Sequence, residues 1–298
     1  MNESRSEKNF DIAKELEKED KEIKRKKIIK KILIIGIPLI LFISFNYFLI
    51  RVIGNLGLNV REYAIYKENL PDDFNGIKII HFSDLHFNNT SSINTVKKLV
   101  SLINKANPDI VIFTGDLIDG HYEIDDNTLE TIMEEFNSIK ATIGKYAIRG
   151  EEDHENFEKV FNNSNFTILE NTIESIYLGS SSINILALEE KYNIEDIKGY
   201  NEEIFTITIT HKPDLTDRII KDFNTSIILA GHSHNGQIRL PIIGPLMKKE
   251  GAKKYPSSHY TINNKTDLYV SGGIGNSKHQ WRLFNHPSIN FYRLRTGK

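Results

Sequence analysis

Apolar positions along this chain fall into three regimes. Up to residue 27 they are isolated, at Phe10, Ile12, Leu16 and Ile23 within a Glu/Lys-rich stretch, too sparse for a core face. That spacing predicts a solvated helix or a disordered tail. Residues 32–50, ILIIGIPLILFISFNYFLI, form an uncharged run of 19 positions. At about 1.5 Å rise per residue the run spans roughly 28 Å as a helix, enough to cross a bilayer once. Beyond it, short β-branched runs alternate with polar windows of helical period, which predicts an α/β layered domain. Strands are expected at 77–82, 109–113, 146–148, 183–188, 205–210 and 226–229. Helices are expected at 95–104, with Val96, Leu99, Val100 and Ile103 on one face, and at 128–139, with Leu129, Ile132, Met133 and Phe136. No repeat or Gly/Ser linker divides residues 60–298. The expected organisation is a charged tail (1–31), a transmembrane helix (32–50) and one folded domain (51–298).

Charge gives the span a direction. Lys21, Lys24, Arg25, Lys26, Lys27, Lys30 and Lys31 precede it, whereas only Arg51, Arg61 and Lys67 fall in the next twenty residues. The positive-inside rule then places the N-terminus in the cytoplasm and the domain outside the cell membrane. No small-residue cleavage site follows the run, so an uncleaved single-pass anchor is favoured over a cleaved leader. Past residue 31, 27 basic residues face 32 acidic ones, a net charge of −5 that argues against a nucleic-acid partner. The absence of cysteine excludes disulfides, thiolate metal sites and a thiol nucleophile. No segment points to a protein partner.

Candidate chemistry clusters just after the expected strands. Asp84 and His86 follow the first, Asp116 the second, Glu151 the third, His211 the run FTITIT, and His232 with His234 the run SIILA. In open α/β sheets, loops at the carboxyl ends of strands converge over one edge, so a single site built from five loops is expected. Residues two apart on an extended strand end point the same way, which would aim each of the pairs 84/86 and 232/234 at an ion. Gly115 and Gly231 precede Asp116 and His232, where a missing Cβ lets the chain turn sharply. Imidazole and carboxylate without thiolate suit Mn(II), and also Fe, Zn or Ni, better than Ca or Cu(I). Two such ions about 3.5–4 Å apart generate hydroxide from bound water and clamp a phosphoryl group.

The strings FSDLHF, FTGDLID, THKPDL and AGHSHNGQIRLP resemble the calcineurin-like metallophosphoesterases, in particular their single-domain, membrane-attached bacterial branch. The resemblance extends through SGGIGNSKHQWRLFNHPSINFYRLR, similar to that branch's C-terminal strand pair. It implies a four-layer α/β/β/α sandwich and a centre of two divalent metal ions. Asp84, His86 and His234 would hold the first ion, Asp116 would bridge, and His211 and His232 would hold the second. The third motif, ordinarily Gly-Asn-His-Asp/Glu, reads Gly150-Glu151-Glu152-Asp153-His154. Glu151 thus stands where an Asn ligates metal and contacts phosphate, and Glu152 where a His stabilises the transition state. A glutamate keeps a hard oxygen ligand but adds a negative charge and loses an amide donor.

These residues predict a membrane-anchored phosphoesterase in which hydroxide attacks a phosphodiester or phosphomonoester, with an envelope lipid as one candidate substrate. The alternative is a metal-binding or scaffolding ectodomain that Glu151 and Glu152 have disabled. His154 is a candidate substitute acid, and Arg282 a candidate phosphate contact or a structural ion-pair partner. His81 reads as a core histidine and Asp119 as a support for the site or a surface residue. His121, like Asp119, reads as a surface or helix-entry residue or a support for the site, and His259, His279 and His286 as surface or substrate-rim positions. The stretch 240–260 reads either as a surface loop packed on the sandwich or as a lid resting on lipid. In the lid reading its apolar residues point down and Lys248, Lys249, Lys253 and Lys254 face phosphate.

Overall fold

The structure, a computed structural model, describes residues 5–89, 91–276 and 280–297. The chain parts into two compact units, Met1–Leu49 and Ile50–Lys298. In the first, helix α1 (Arg5–Lys31) is exposed along its length and laced by i,i+4 ion pairs, Lys21 with Glu17 and Lys24 with Asp20 at 2.6 Å each. A π-helical turn, Ile32–Gly36, then leads into α2 (Ile37–Arg51). Pro38 accounts for the wide turn: it has no N–H to donate, and its ring crowds the carbonyl of the preceding turn. The helical stretch Lys8–Asn55 contains one window long and apolar enough to cross a membrane.

Among the described residues, fourteen strands build the second unit. The first seven are β1 (Asn59–Lys67), β2 (Lys78–Phe82), β3 (Ile110–Thr114), β4 (Gly144–Ile148), β5 (Thr167–Ile168), β6 (Thr172–Leu178) and β7 (Ser181–Ala187). The rest are β8 (Thr206–Thr210), β9 (Ile227–Ala230), β10 (Arg239–Leu240), β11 (Gly244–Pro245), β12 (His259–Ile262), β13 (Thr266–Val270) and β14 (Ser288–Thr296). One six-stranded sheet runs β1-β14-β2-β3-β4-β5, parallel except where β14 meets β2; the other runs β12-β13-β9-β8-β7-β6, with antiparallel pairs at its two ends.

Period-two alternation sorts these strands into layers. Ile79, Ile110, Ile112, Ile207, Ile209, Ile227 and Leu229 point into the seam between the sheets. Ile80, Phe82, Val111 and Phe113 point the other way, onto the apolar faces of α3 (Ile93–Ala106), α4 (Asp126–Asn137) and α5 (Glu155–Asn162). Ile228, Ala230, Leu268 and Val270 pack outward against Ile219 of α6 (Thr216–Asp222), Phe223, Tyr192 and Ile197. The result is the four-layer α/β/β/α sandwich expected from the sequence, its last layer thinned to one short helix and an irregular segment. Ser92 caps α3 by accepting from the Asn94 N–H, and Asp125 caps α4 by accepting from that of Thr128. The parallel strands β2, β3 and β4 of one sheet and β8 and β9 of the other end at the loops that carry the candidate ligands.

Candidate metal centre

Six of the predicted residues converge as two triads. Asp84, His86 and His234 offer ligand atoms within 4.8 Å of one another, as do Asp116, His211 and His232, and all six are buried. Asp116 Oδ2 lies 3.5 Å from His86 Nε2 and 3.3 Å from His211 Nε2, between the two groups. His86 and His234 bring their Nε2 atoms to 3.0 Å, and His234 Nε2 lies 3.3 Å from Asp84 Oδ1.

Convergence is not achieved by strand alternation, as the sequence pattern predicted. Asp84 (φ 52°), His86 (φ 40°), Asp116 (φ 61°), His232 (φ 65°) and His234 (φ 47°) all take left-handed backbone, so each side chain is aimed by its own turn. Such geometry costs about 1 kcal/mol or more per residue and persists where surrounding bonds over-determine it. The carboxylate of Asp84 accepts from the His232 N–H at 3.0 and 3.1 Å and from the Ser83 hydroxyl. Asp153 accepts from the backbone N–H groups of Asp116, Leu117 and Gly150, each at 2.8 Å. Asp153 went unmarked in the sequence reading, although the third motif retains its closing carboxylate. It clamps the turn bearing Asp116 to the one bearing Glu151.

The tautomers are set from outside the cluster. His211 Nδ1 donates to the Thr114 carbonyl at 2.7 Å, and His232 Nε2 to the Glu250 carbonyl at 2.6 Å, which turns His211 Nε2 and His232 Nδ1 inward. Those two atoms, with Asp116 Oδ2 and His86 Nδ1, are buried with no hydrogen-bond partner. Three of the four face the cluster interior, where a divalent cation would satisfy them together. The residues present therefore fit a dinuclear centre.

Electrostatics agree. Burial alone would depress His211, but the Asp116 and Asp84 carboxylates overcome it and hold the imidazole up at about 10. His234 is pulled down to about 3 by burial despite Asp84, and Asp84 lies well below the usual carboxylate range because of the surrounding histidines, against its own burial. The pocket favours positive charge at its centre.

Glu151 stands at the rim, half in water. One carboxylate oxygen lies 3.3 Å from His232 Nδ1, on the side of the second triad, and the other 3.2 Å from Lys212 Nζ, which also pairs with Glu190 at 2.7 Å. Lys212 thus offsets the charge that the Asn-to-Glu exchange introduces, a compensation that a lysine in THKPDL did not announce. Glu152 accepts from the Gly120 N–H at 3.0 Å and reaches within 4.0 Å of His86 Nδ1; together with Asp119 these form a third donor cluster.

His154 is exposed at the N-terminus of α5 and, among the described residues, joins none of these clusters. Arg282, expected as a phosphate contact or an ion-pair partner, is fully buried. Its guanidinium donates to the Gly272 and Gly275 carbonyls at 2.8 and 2.7 Å and lies 3.3 Å from His234 Nδ1, behind the ligand rather than in the cleft. Among the described residues its hydrogen bonds go to carbonyl and amide oxygens and to His234, so it supports the ligand from behind. His81 is a core residue bonded to Thr114 and Tyr292, and His259 stacks on Tyr269. His279 lies outside the described residues.

Two carboxylate-and-histidine triads with Asp116 Oδ2 lying between them, set at the carboxyl edge of a two-sheet sandwich, define a metal-dependent hydrolase of the dinuclear class. The signature of the calcineurin-like phosphoesterases matches residues 77–236, and the chain belongs to that family. It is 27% identical to the metallophosphoesterase YkuE of Bacillus subtilis over 80% of this chain and 86% of that protein. It is 25% identical to the UDP-2,3-diacylglucosamine pyrophosphatase LpxG of Chlamydia muridarum, covering 80% and 91%. A transmembrane protein with a metallophosphoesterase domain from Danio rerio is 24% identical, over 72% of this chain and 52% of that one.

Proposed function

We propose that this phosphoesterase is anchored in the cell membrane by residues 32–50, with its domain, residues 51–298, outside the cytoplasm, and hydrolyses a phosphate ester or pyrophosphate linkage of an envelope component. The observation that carries it is the pair of buried triads, with His211 Nε2 and His232 Nδ1 turned inward and Asp116 Oδ2 between the two groups. Asp84, His86 and His234 would hold one ion, His211, His232 and Glu151 the other, with Asp116 bridging. Two divalent ions supply a nucleophile from water at neutral pH and charge stabilisation at the phosphoryl oxygens.

The chain's own residues do the rest. Asp153 and Arg282 hold the ligand turns in place. Lys212 neutralises Glu151 at the cleft wall, so that an anionic substrate meets one negative charge fewer. Lys249 lines the same cavity, of about 510 Å³, and offers a cation to phosphate. LpxG, whose name gives it a lipid pyrophosphate substrate, supports an envelope lipid as the substrate class.

Incubating the purified full chain with chelator should abolish hydrolysis of an aryl phosphodiester, and Mn(II) should restore it best. Asp116→Asn should lower metal content and rate together. Full activity in a metal-free preparation would overturn this reading.

A further inference from the structure

The surface changes character around the mouth of the metal cleft. The hairpin pairing Arg239–Leu240 with Gly244–Pro245 carries Pro241, Ile242 and Ile243 at its tip. Hairpin tips in water favour Gly, Asn and Asp, which accept left-handed geometry and stay solvated. Here Ile242 takes φ 71°, a setting rare for a β-branched residue, and is wholly exposed, while Ile243 is 70% exposed. Leu246 and Met247 are exposed directly beyond the hairpin.

A second segment lies alongside. Ile238 bridges Leu283, and the Arg239 N–H donates to the Leu283 carbonyl at 3.0 Å, leaving Trp281 and the 65% exposed Phe284 facing out. The Arg282 N–H donates in turn to the Ile50 carbonyl at 3.1 Å, and the Asn55 side chain to the Gln280 carbonyl at 3.0 Å. The exposed Val52, Ile53 and Leu56 therefore continue the same patch. Lys248 is exposed at its margin, and Lys249 turns into the cleft. Lys254 bonds Asp217 at 2.7 Å, and the Lys253 and Lys254 backbone N–H groups donate to Asp214, so the two are held by the domain itself rather than gathered at the patch.

Chain continuity identifies what covers this face. Residues 52–56 follow immediately on the apolar run 32–50, so a bilayer crossed by that run begins within a few residues of the patch. The composition fits the same occupant: apolar residues at the tip with a lysine beside them suit acyl chains and anionic headgroups together. The cavity itself has Glu151 and His232 on one wall and Met247 and Trp281 on the other, so its mouth opens within the patch.

We propose that this face docks on the membrane, Ile242 and Ile243 entering the acyl region, so that the cleft takes a phosphate ester whose hydrocarbon chains remain in the bilayer. The substrate part of this proposal rests on the phosphoesterase reading of the cleft; the docking part does not.

Trp281 is the single tryptophan of the chain and reports on the face directly. The full chain would be reconstituted in phosphatidylcholine vesicles containing phosphatidylglycerol, with acyl chains brominated near the headgroup. Emission should be quenched by about half or more, with acrylamide in the water phase quenching poorly. Ile242→Ser/Ile243→Ser should reverse that order. It should also lower hydrolysis of a vesicle-embedded diacyl phosphate ester at least fivefold, while hydrolysis of a water-soluble aryl phosphodiester is unchanged. Full acrylamide access with no bromine quenching overturns the docking face, and retained aryl phosphodiester hydrolysis would then show that the phosphoesterase reading survives. Bromine quenching in a protein that hydrolyses neither ester keeps the docking face and overturns the substrate. If Trp281 stays in water and the double variant instead dissolves a dimer seen by sedimentation in detergent, the face belongs to a second copy and the bilayer reading fails.

Discussion

At Glu151 one residue departs from the family's pattern, and its neighbours decide what the departure means. A carboxylate about 5 Å from a bound phosphate repels it by roughly 3 kcal/mol at an effective dielectric near 20, before screening. Lys212 Nζ at 3.2 Å from Glu151 removes much of that repulsion. Glu151→Asn should therefore tighten phosphate binding only severalfold, read by isothermal titration, and less than the bare charge count implies. Glu151→Ala should drop the metal content measured by mass spectrometry from two ions toward one. Unchanged stoichiometry and turnover in the alanine variant would show that Glu151 is no ligand. The identities of Asp84, His86, Asp116, His211, His232 and His234 were legible from their strings. Lys212 and Asp153 were not, because their partners lie across the cleft: Lys212 reaches residue 151, and Asp153 reaches the N–H groups of residues 116 and 117.

Among the elements, the turns that end the strands carry the geometry. Gly115 (φ 92°) leads into Asp116, and a Cβ there would meet the Gly150 nitrogen and, at 2.7 Å, His211 Nδ1. Gly115→Ala combines left-handed strain of about 1 kcal/mol or more with displacement of a ligand histidine. The melting temperature of the metal-loaded protein should fall by about 3 °C or more, and metal affinity should fall with it. A variant with unchanged melting temperature and metal content would show that the turn relaxes freely. Strand and helix positions followed the hydrophobic period to within about two residues. It left β1, β6, β12, β13 and β14 and the helices α5 and α6 unmarked, as well as the short β5, β10 and β11, whose two-residue pairings leave no periodic trace.

Across the whole molecule, the basic cluster before residue 32 predicts which side of the membrane carries the cleft. Protease added to intact cells should release a fragment beginning near residue 55, detected by mass spectrometry. Protection of that fragment until the membrane is breached would reverse the orientation and place the substrate in the cytoplasm.

Local pattern was sufficient for an α/β layered domain, the apolar span and the inventory of nitrogen and oxygen ligands, because amphipathic period and motif spacing are properties of neighbouring residues; the four-layer order followed from the family resemblance. Only the tertiary structure decided how those ligands meet. Left-handed turns aim five of the six buried donors, and residues far apart in the chain hold them, Asp153 on the Asp116 turn and Arg282 behind His234. It also decided the setting of the cleft, since hydrogen bonds between residues 44 to 232 positions apart link residues 50–56, 238–247 and 281–284. Separations of that length leave no periodic signal, and their energy exists only once the sheets have brought the loops together.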